Sequence, residues 1–124
     1  MTDRKIAVVD DDVSVRKALQ RLLRSAGMEV DIFPSGVAFL LALGHVEPDC
    51  LVLDLHMPDV NGFDVQTRIS QSGVRLPVIV ITGHDNPDSR IRAIAGGADL
   101  FLLKPIDEGV LLEGITYAIS RHDR

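Results

Sequence analysis

Asp10, Asp11 and Asp12 follow directly on the apolar run Ile6-Ala7-Val8-Val9, and the run Cys50-Leu51-Val52-Leu53 ends in Asp54. Val78-Ile79-Val80-Ile81 ends in the hydroxyl of Thr82, and Leu100-Phe101-Leu102-Leu103 ends in Lys104 followed by Pro105. In an open parallel sheet, ligands bind in the crevice outside the carboxyl ends of the strands, so these four termini are expected to converge on one site. Asp10, Asp11 and Asp54 would crowd like charges there, which disfavours their joint ionisation, and a divalent cation removes the conflict. All-oxygen donors without clustered His or Cys favour Mg²⁺. Asp12 is read as a helix cap, but a carboxylate ending a strand as apolar as Cys50–Leu53 would be costly without a partner. At Lys104, Pro105 restricts the backbone and aims the amine back over the crevice.

The elements that must place these groups alternate along the chain. Residues 5 to 9 read as a strand. Val15, Ala18, Leu19, Leu22 and Leu23 then recur at helical spacing, in a helix that starts near Asp12 or Ser14 and stops at Gly27. Residues 28 to 33 alternate apolar and acidic, as a strand with one exposed face does, which suits an edge. Val37 to Leu43 reads as a second helix, Cys50 to Leu53 as a central strand covered on both faces, and Asn61 to Ser70 as a third helix. Val78 to Ile81, Asp88 to Ala95, Leu100 to Leu103 and Asp107 to Ser120 continue as strand, helix, strand and helix. Right-handed crossovers then predict an α/β fold, a doubly wound five-stranded parallel sheet of flavodoxin-like strand order 2-1-3-4-5 in three α/β/α layers. Gly109 and Gly114 fall inside the last helix, where they either permit close packing or leave it soft. His45 and His122 enter no motif.

Composition bounds the function. The chain has 124 residues, of which 46% are hydrophobic, enough for one domain spanning 1–124 with a real core. A net charge of -5 without a Lys/Arg-rich run argues against direct nucleic acid binding. The single cysteine, Cys50, excludes an internal disulfide and reads as a buried small hydrophobe. Residues 2 to 5 are all polar, unlike a signal peptide, and no apolar stretch reaches the ~20 residues that span a bilayer, so a cytoplasmic chain without membrane contact is expected.

The ordered set Val9-Asp10-Asp11-Asp12, Leu53-Asp54-Leu55-His56-Met57-Pro58-Asp59 with Gly62, Ile81-Thr82-Gly83-His84 and Phe101-Leu102-Leu103-Lys104-Pro105 resembles the receiver domain of two-component response regulators. The resemblance covers essentially the whole chain, and Thr-Gly-His after the fourth strand is similar to receivers of the FixJ type, whose usual output is a helix-turn-helix domain. It implies that Asp54 is the phosphoacceptor, charged by a sensor histidine kinase or a phosphotransfer protein. It implies Mg²⁺ on Asp11, Asp54 and the backbone carbonyl of His56, with Asp10 reaching it directly or through water. Lys104, the Thr82 hydroxyl and the Gly83 N–H would serve the phosphoryl oxygens, and Thr82 and Phe101 would form the switch. It further implies a signalling switch rather than an enzyme, limited to self-phosphorylation and autodephosphorylation. Its reader would be a downstream effector or an output domain on the same chain, and the fourth helix, fifth strand and fifth helix would be the output and homodimer face.

Two other classes fit less well. A haloacid dehalogenase-like phosphatase needs a second carboxylate two residues after its nucleophile, where this chain has His56. An FMN module needs a Gly/Ser/Thr loop to cradle phosphate, whereas Asp10 to Asp12 would repel one. A degenerate receiver acting only as a binding module would have lost Asp54 or Lys104, and both are present.

Overall fold

The computed structural model describes residues 4–123. Its five strands, β1 (Lys5–Val9), β2 (Glu29–Phe33), β3 (Cys50–Asp54), β4 (Val78–Thr82) and β5 (Leu100–Leu103), form one parallel sheet in the order β2-β1-β3-β4-β5. Between and after them run α1 (Val13–Ser25), α2 (Gly36–Ala42), α3 (Gly62–Ser72), α4 (Pro87–Ala95) and α5 (Glu108–His122). The predicted architecture is therefore the observed one. Consecutive side chains of a strand point to opposite faces, and this divides the core in two. Ile6, Val8, Cys50, Val52, Ile79 and Ile81 pack under α1 and α5 against Leu19, Leu23, Leu111 and Ile115. Ala7, Val9, Leu51, Leu53, Val78 and Val80 face the other way, onto Phe39, Val65, Ile69 and Ala93 of α2, α3 and α4. β3 and β4 are buried at every position, which is why their sequences carry no polar alternation. Cys50 lies wholly inside, where burial first, and then the charge of Asp99, push its thiol up to about 12.

Several element boundaries lie a residue or two from the expected ones, and caps set some of them. Asp12 is the N-cap of α1, its carboxylate accepting from the N–H groups of Ser14 and Val15. α1 ends at Ser25, and Gly27 follows outside it at φ 85. α3 begins with a reciprocal capping box between Asn61 and Asp64 and runs past Ser70 to Ser72, where Gly73 closes it in the left-handed conformation. α5 runs past Ser120 to His122.

The two glycines of α5 differ. A Cβ on Gly114 would lie 2.8 Å from Leu100 Cδ1, so this glycine lets the helix sit close on the sheet, whereas one on Gly109 would meet only Asp107 Oδ1 at 3.4 Å. His122, which entered no motif, is placed by a partner far away in sequence: its Nε2 lies 3.1 Å from Oδ1 of buried Asp99. The Asp99 carboxylate also accepts from the Val78 N–H at 2.9 Å and pairs with Arg121 at 3.2 Å, tying the last turn of α5 to the start of β5. Among the described residues, no helix is long and apolar enough to cross a membrane.

Candidate functional site

Parallel register carries β1, β3, β4 and β5 to a common edge, where Asp10, Asp54, Thr82 and Lys104 end or follow the strands. Asp10 and Thr82 are fully buried and Asp54 nearly so, while Asp11 is exposed. Asp10, Asp11 and Asp54 each offer a carboxylate oxygen, all within 4.8 Å of one another. Lys104 spans two of the three. Its Nζ lies 2.9 Å from Asp10 Oδ2 and 3.4 Å from Asp54 Oδ1, and its backbone N–H donates to the Thr82 carbonyl at 2.8 Å.

The electrostatics follow from burial. Desolvation first, and then the charge of Asp10, raise Asp54 to about 6 against the opposing pull of Lys104. For Lys104, burial acts to lower its pKa, but Asp10 and Asp54 outweigh it and the net shift is upward. One cation thus serves two buried carboxylates, and the compensation is incomplete. Asp10 Oδ1 accepts the Asp12 N–H at 2.9 Å, and its buried Oδ2 has only the shared Lys104 ammonium beside it. Three carboxylates sharing one ammonium group, all with oxygen donors, suit a hard divalent cation.

The remaining expected groups border this pocket. Thr82 Oγ1 accepts the His84 N–H at 3.2 Å. An added Cβ at Gly83 would meet nothing within 4 Å, so the fold itself leaves space there. His56 and His84 stand edge to face across the mouth, ring centroids 4.8 Å apart, and partial burial followed by His84 and Lys104 holds His56 below its ordinary pKa. Phe101 is in the core, with the Arg90 guanidinium 4.8 Å from its ring centroid.

Two supporting residues escaped the sequence. Gly62 opens α3 against the back of Asp54: a Cβ there would lie 2.7 Å from the Asp54 carbonyl oxygen and 2.8 Å from Leu55 Cα. Gly62 stood in the motif as a resemblance, with no hint of this contact. Arg16 reaches back from α1 and donates from Nη1 to the Asp10 carbonyl at 2.8 Å. In the sequence it is one more cation beside Lys17 on a polar helix face, and only the turn at Asp10–Asp12 gives it a partner.

The chain is similar to known proteins in sequence and in fold. The chain is 41% identical to the response regulator protein TmoT of Ectopseudomonas mendocina over 115 residues, covering 93% of this chain and 52% of TmoT. It is 37% identical to the transcriptional regulatory protein FixJ of Rhizobium meliloti over 122 residues, covering 98% and 59%. It thus spans roughly half the length of the curated relatives it matches. Its fold superposes on the crystal structure of FixJ-N with a TM-score of 0.90 at 35% identity, covering 97% of this chain and 96% of that one. Full-length FixJ from B. japonicum matches with a TM-score of 0.92 at 34% identity, over 99% of this chain and 61% of that one. The response regulator receiver domain profile matches residues 6–116, so the acidic pocket at the sheet edge is that of a chain belonging to the receiver domain family.

Proposed function

We propose that Asp54 is the phosphoacceptor of a receiver domain spanning residues 1–124, charged from a phosphohistidine on a sensor histidine kinase or a phosphotransfer protein. The observation that carries this is the meeting of Asp10, Asp11 and Asp54 within 4.8 Å, with Lys104 spanning two of them. A carboxylate oxygen of Asp54 forms the new bond to phosphorus as the phosphorus–nitrogen bond of the donor breaks, and the donor ring, protonated on its other nitrogen, leaves as neutral imidazole. Such a transfer needs positioning and charge neutralisation more than covalent help. Asp10, Asp11, Asp54 and the backbone carbonyl of His56 would hold Mg²⁺, which when bound neutralises charge on the transferring group. Lys104 supplies the second cation, and the Thr82 hydroxyl and Gly83 N–H supply hydrogen-bond donors. Asp54 then carries an acyl phosphate, and water lost or admitted past His56 and Gly83 sets its lifetime. The chain's own chemistry is thereby confined to self-phosphorylation and autodephosphorylation, which makes it a signalling switch.

Thr82 drawn toward the phosphoryl group, with Phe101 repacking into the space beside it, would carry the change to the surface of α4, β5 and α5. Ile91 and Ile94 of α4, Leu103 of β5 and Val110 and Tyr117 of α5 are all exposed there. That surface suits an output domain, a separate effector or a second copy of the chain, and regulation of transcription is the output that the FixJ relatives suggest.

Intact mass spectrometry after incubation with acetyl phosphate tests the assignment. One phosphoryl group should be gained with Mg²⁺ present and none with chelator, and Asp54→Asn should gain none. A label that survives in Asp54→Asn places the acceptor elsewhere.

A further inference from the structure

Every polar atom of Asp10 is committed within the fold. Its N–H donates to the Phe33 carbonyl of β2 at 3.2 Å, its Oδ1 accepts from Asp12, and its carbonyl accepts from the Arg16 guanidinium at 2.8 Å. Its Oδ2 pairs with the Lys104 ammonium at 2.9 Å. The carbonyl of Asp10 and the N–H of Asp11 belong to one rigid peptide plane. A bond on that oxygen therefore fixes the rotation that aims the Asp11 side chain, which is exposed and has no hydrogen bond of its own to hold it among the described residues. Arg16 is well suited to the task, since its own N–H donates to the Asp12 carbonyl at 3.0 Å and its guanidinium reaches back over the turn. It touches none of the three carboxylates by an ion pair within 4.0 Å, so its role is not to neutralise them.

We infer that Arg16 is a positioning residue for the cation pocket: by holding the Asp10–Asp11 peptide it sets the affinity of the carboxylates for Mg²⁺. The inference rests on the reading of this pocket as a Mg²⁺ site. It has a sign that simple charge does not share. A positive side chain near a cation site repels the cation, so on charge alone its removal would tighten binding. Loss of positioning does the reverse, and removing a group that orients metal ligands typically weakens the metal by 10–100-fold.

The test is a Mg²⁺ titration followed by backbone amide shifts of Gly83 and its neighbours, on the parent, Arg16→Ala, Arg16→Lys and Arg21→Ala. Arg21 is an exposed cation on the same helix and controls for charge. Arg16→Ala should weaken Mg²⁺ about tenfold or more, Arg16→Lys should recover part of the loss because an amine can still donate to the carbonyl, and Arg21→Ala should match the parent. Retained dispersion of the amide spectrum in chelator separates this from unfolding, and Arg16→Lys serves if the alanine variant does not fold. Equal or tighter binding in both Arg16 variants overturns the positioning role while leaving the metal site standing. A parent that shows no saturable Mg²⁺ shift overturns the metal site itself, and the role of Arg16 with it.

Discussion

Gly62→Ala is expected to destabilise the protein by about 2 kcal/mol and to slow phosphorylation of Asp54. The new Cβ would lie 2.7 Å from the Asp54 carbonyl oxygen and 2.8 Å from Leu55 Cα, and both are backbone atoms that cannot rotate aside. Overpacking of this kind costs about 1–3 kcal/mol, and relief by backbone movement would shift the acceptor strand. Some of the cost is returned, because alanine is favoured over glycine within a helix by about 1 kcal/mol, although position 62 is only the first residue of α3. Gly83→Ala is the comparator, since its Cβ meets open space. Urea unfolding in chelator reads the difference directly. A midpoint for Gly62→Ala equal to the parent's would mean that the β3–α3 connection gives way without strain, and the account of how Asp54 is held would be wrong.

Asp54→Asn should stabilise the metal-free protein at neutral pH by about 1–2 kcal/mol. The carboxyl is raised from 3.8 to about 6 by folding, chiefly through desolvation. A raised acid means that the native state binds more protons than the unfolded chain between those two values, so stability falls as pH rises through the window and stays low above it. The full shift would correspond to about 3 kcal/mol, and solvent at the pocket mouth screens part of it. Removing the charge therefore helps most at about pH 7.5 and little at about pH 4. Saturating Mg²⁺ should narrow the gap by stabilising the parent, since a ligand that binds only the native state adds to its stability. Urea midpoints of the two proteins at both pH values decide this, and an Asp54→Asn variant no more stable than the parent at neutral pH in chelator would remove the case for a strained carboxylate.

Much of the fold was legible because the central strands are covered on both faces. An unbroken run such as Val78 to Ile81 has few other uses in a chain of alternating elements, and right-handed crossovers leave few strand orders. The convergence of Asp10, Asp54, Thr82 and Lys104 followed from topology alone, since each stands at a carboxyl end. Their assigned roles came from the resemblance, and the geometry supports them. Contacts that depend on where a helix comes to lie were not legible. Nothing near His122 announces Asp99, and nothing near Arg16 announces the Asp10 carbonyl, because both depend on how a helix is laid against the sheet. Lys104 pairs with both Asp54 and Asp10 but lies nearer Asp10, a half-Ångström distinction that spacing cannot carry. The choice at Gly114 between close packing and softness likewise needed Leu100 in place across from it.

The inaccessible thiol of Cys50 makes the protein convenient for spectroscopy. A sulfur with no solvent contact and a pKa near 12 presents almost no thiolate to a maleimide or an iodoacetamide at neutral pH. A cysteine installed at Ile91, which is 68% exposed on α4, would then be the one site that takes a dye, with the native thiol left in place. The chain has no tryptophan and one tyrosine, Tyr117, so such a dye would report against a dark background. The same burial that fills the space beneath α1 and α5 thus leaves the outer surface chemically silent, ready for a single optical reporter on the helix whose movement is of interest.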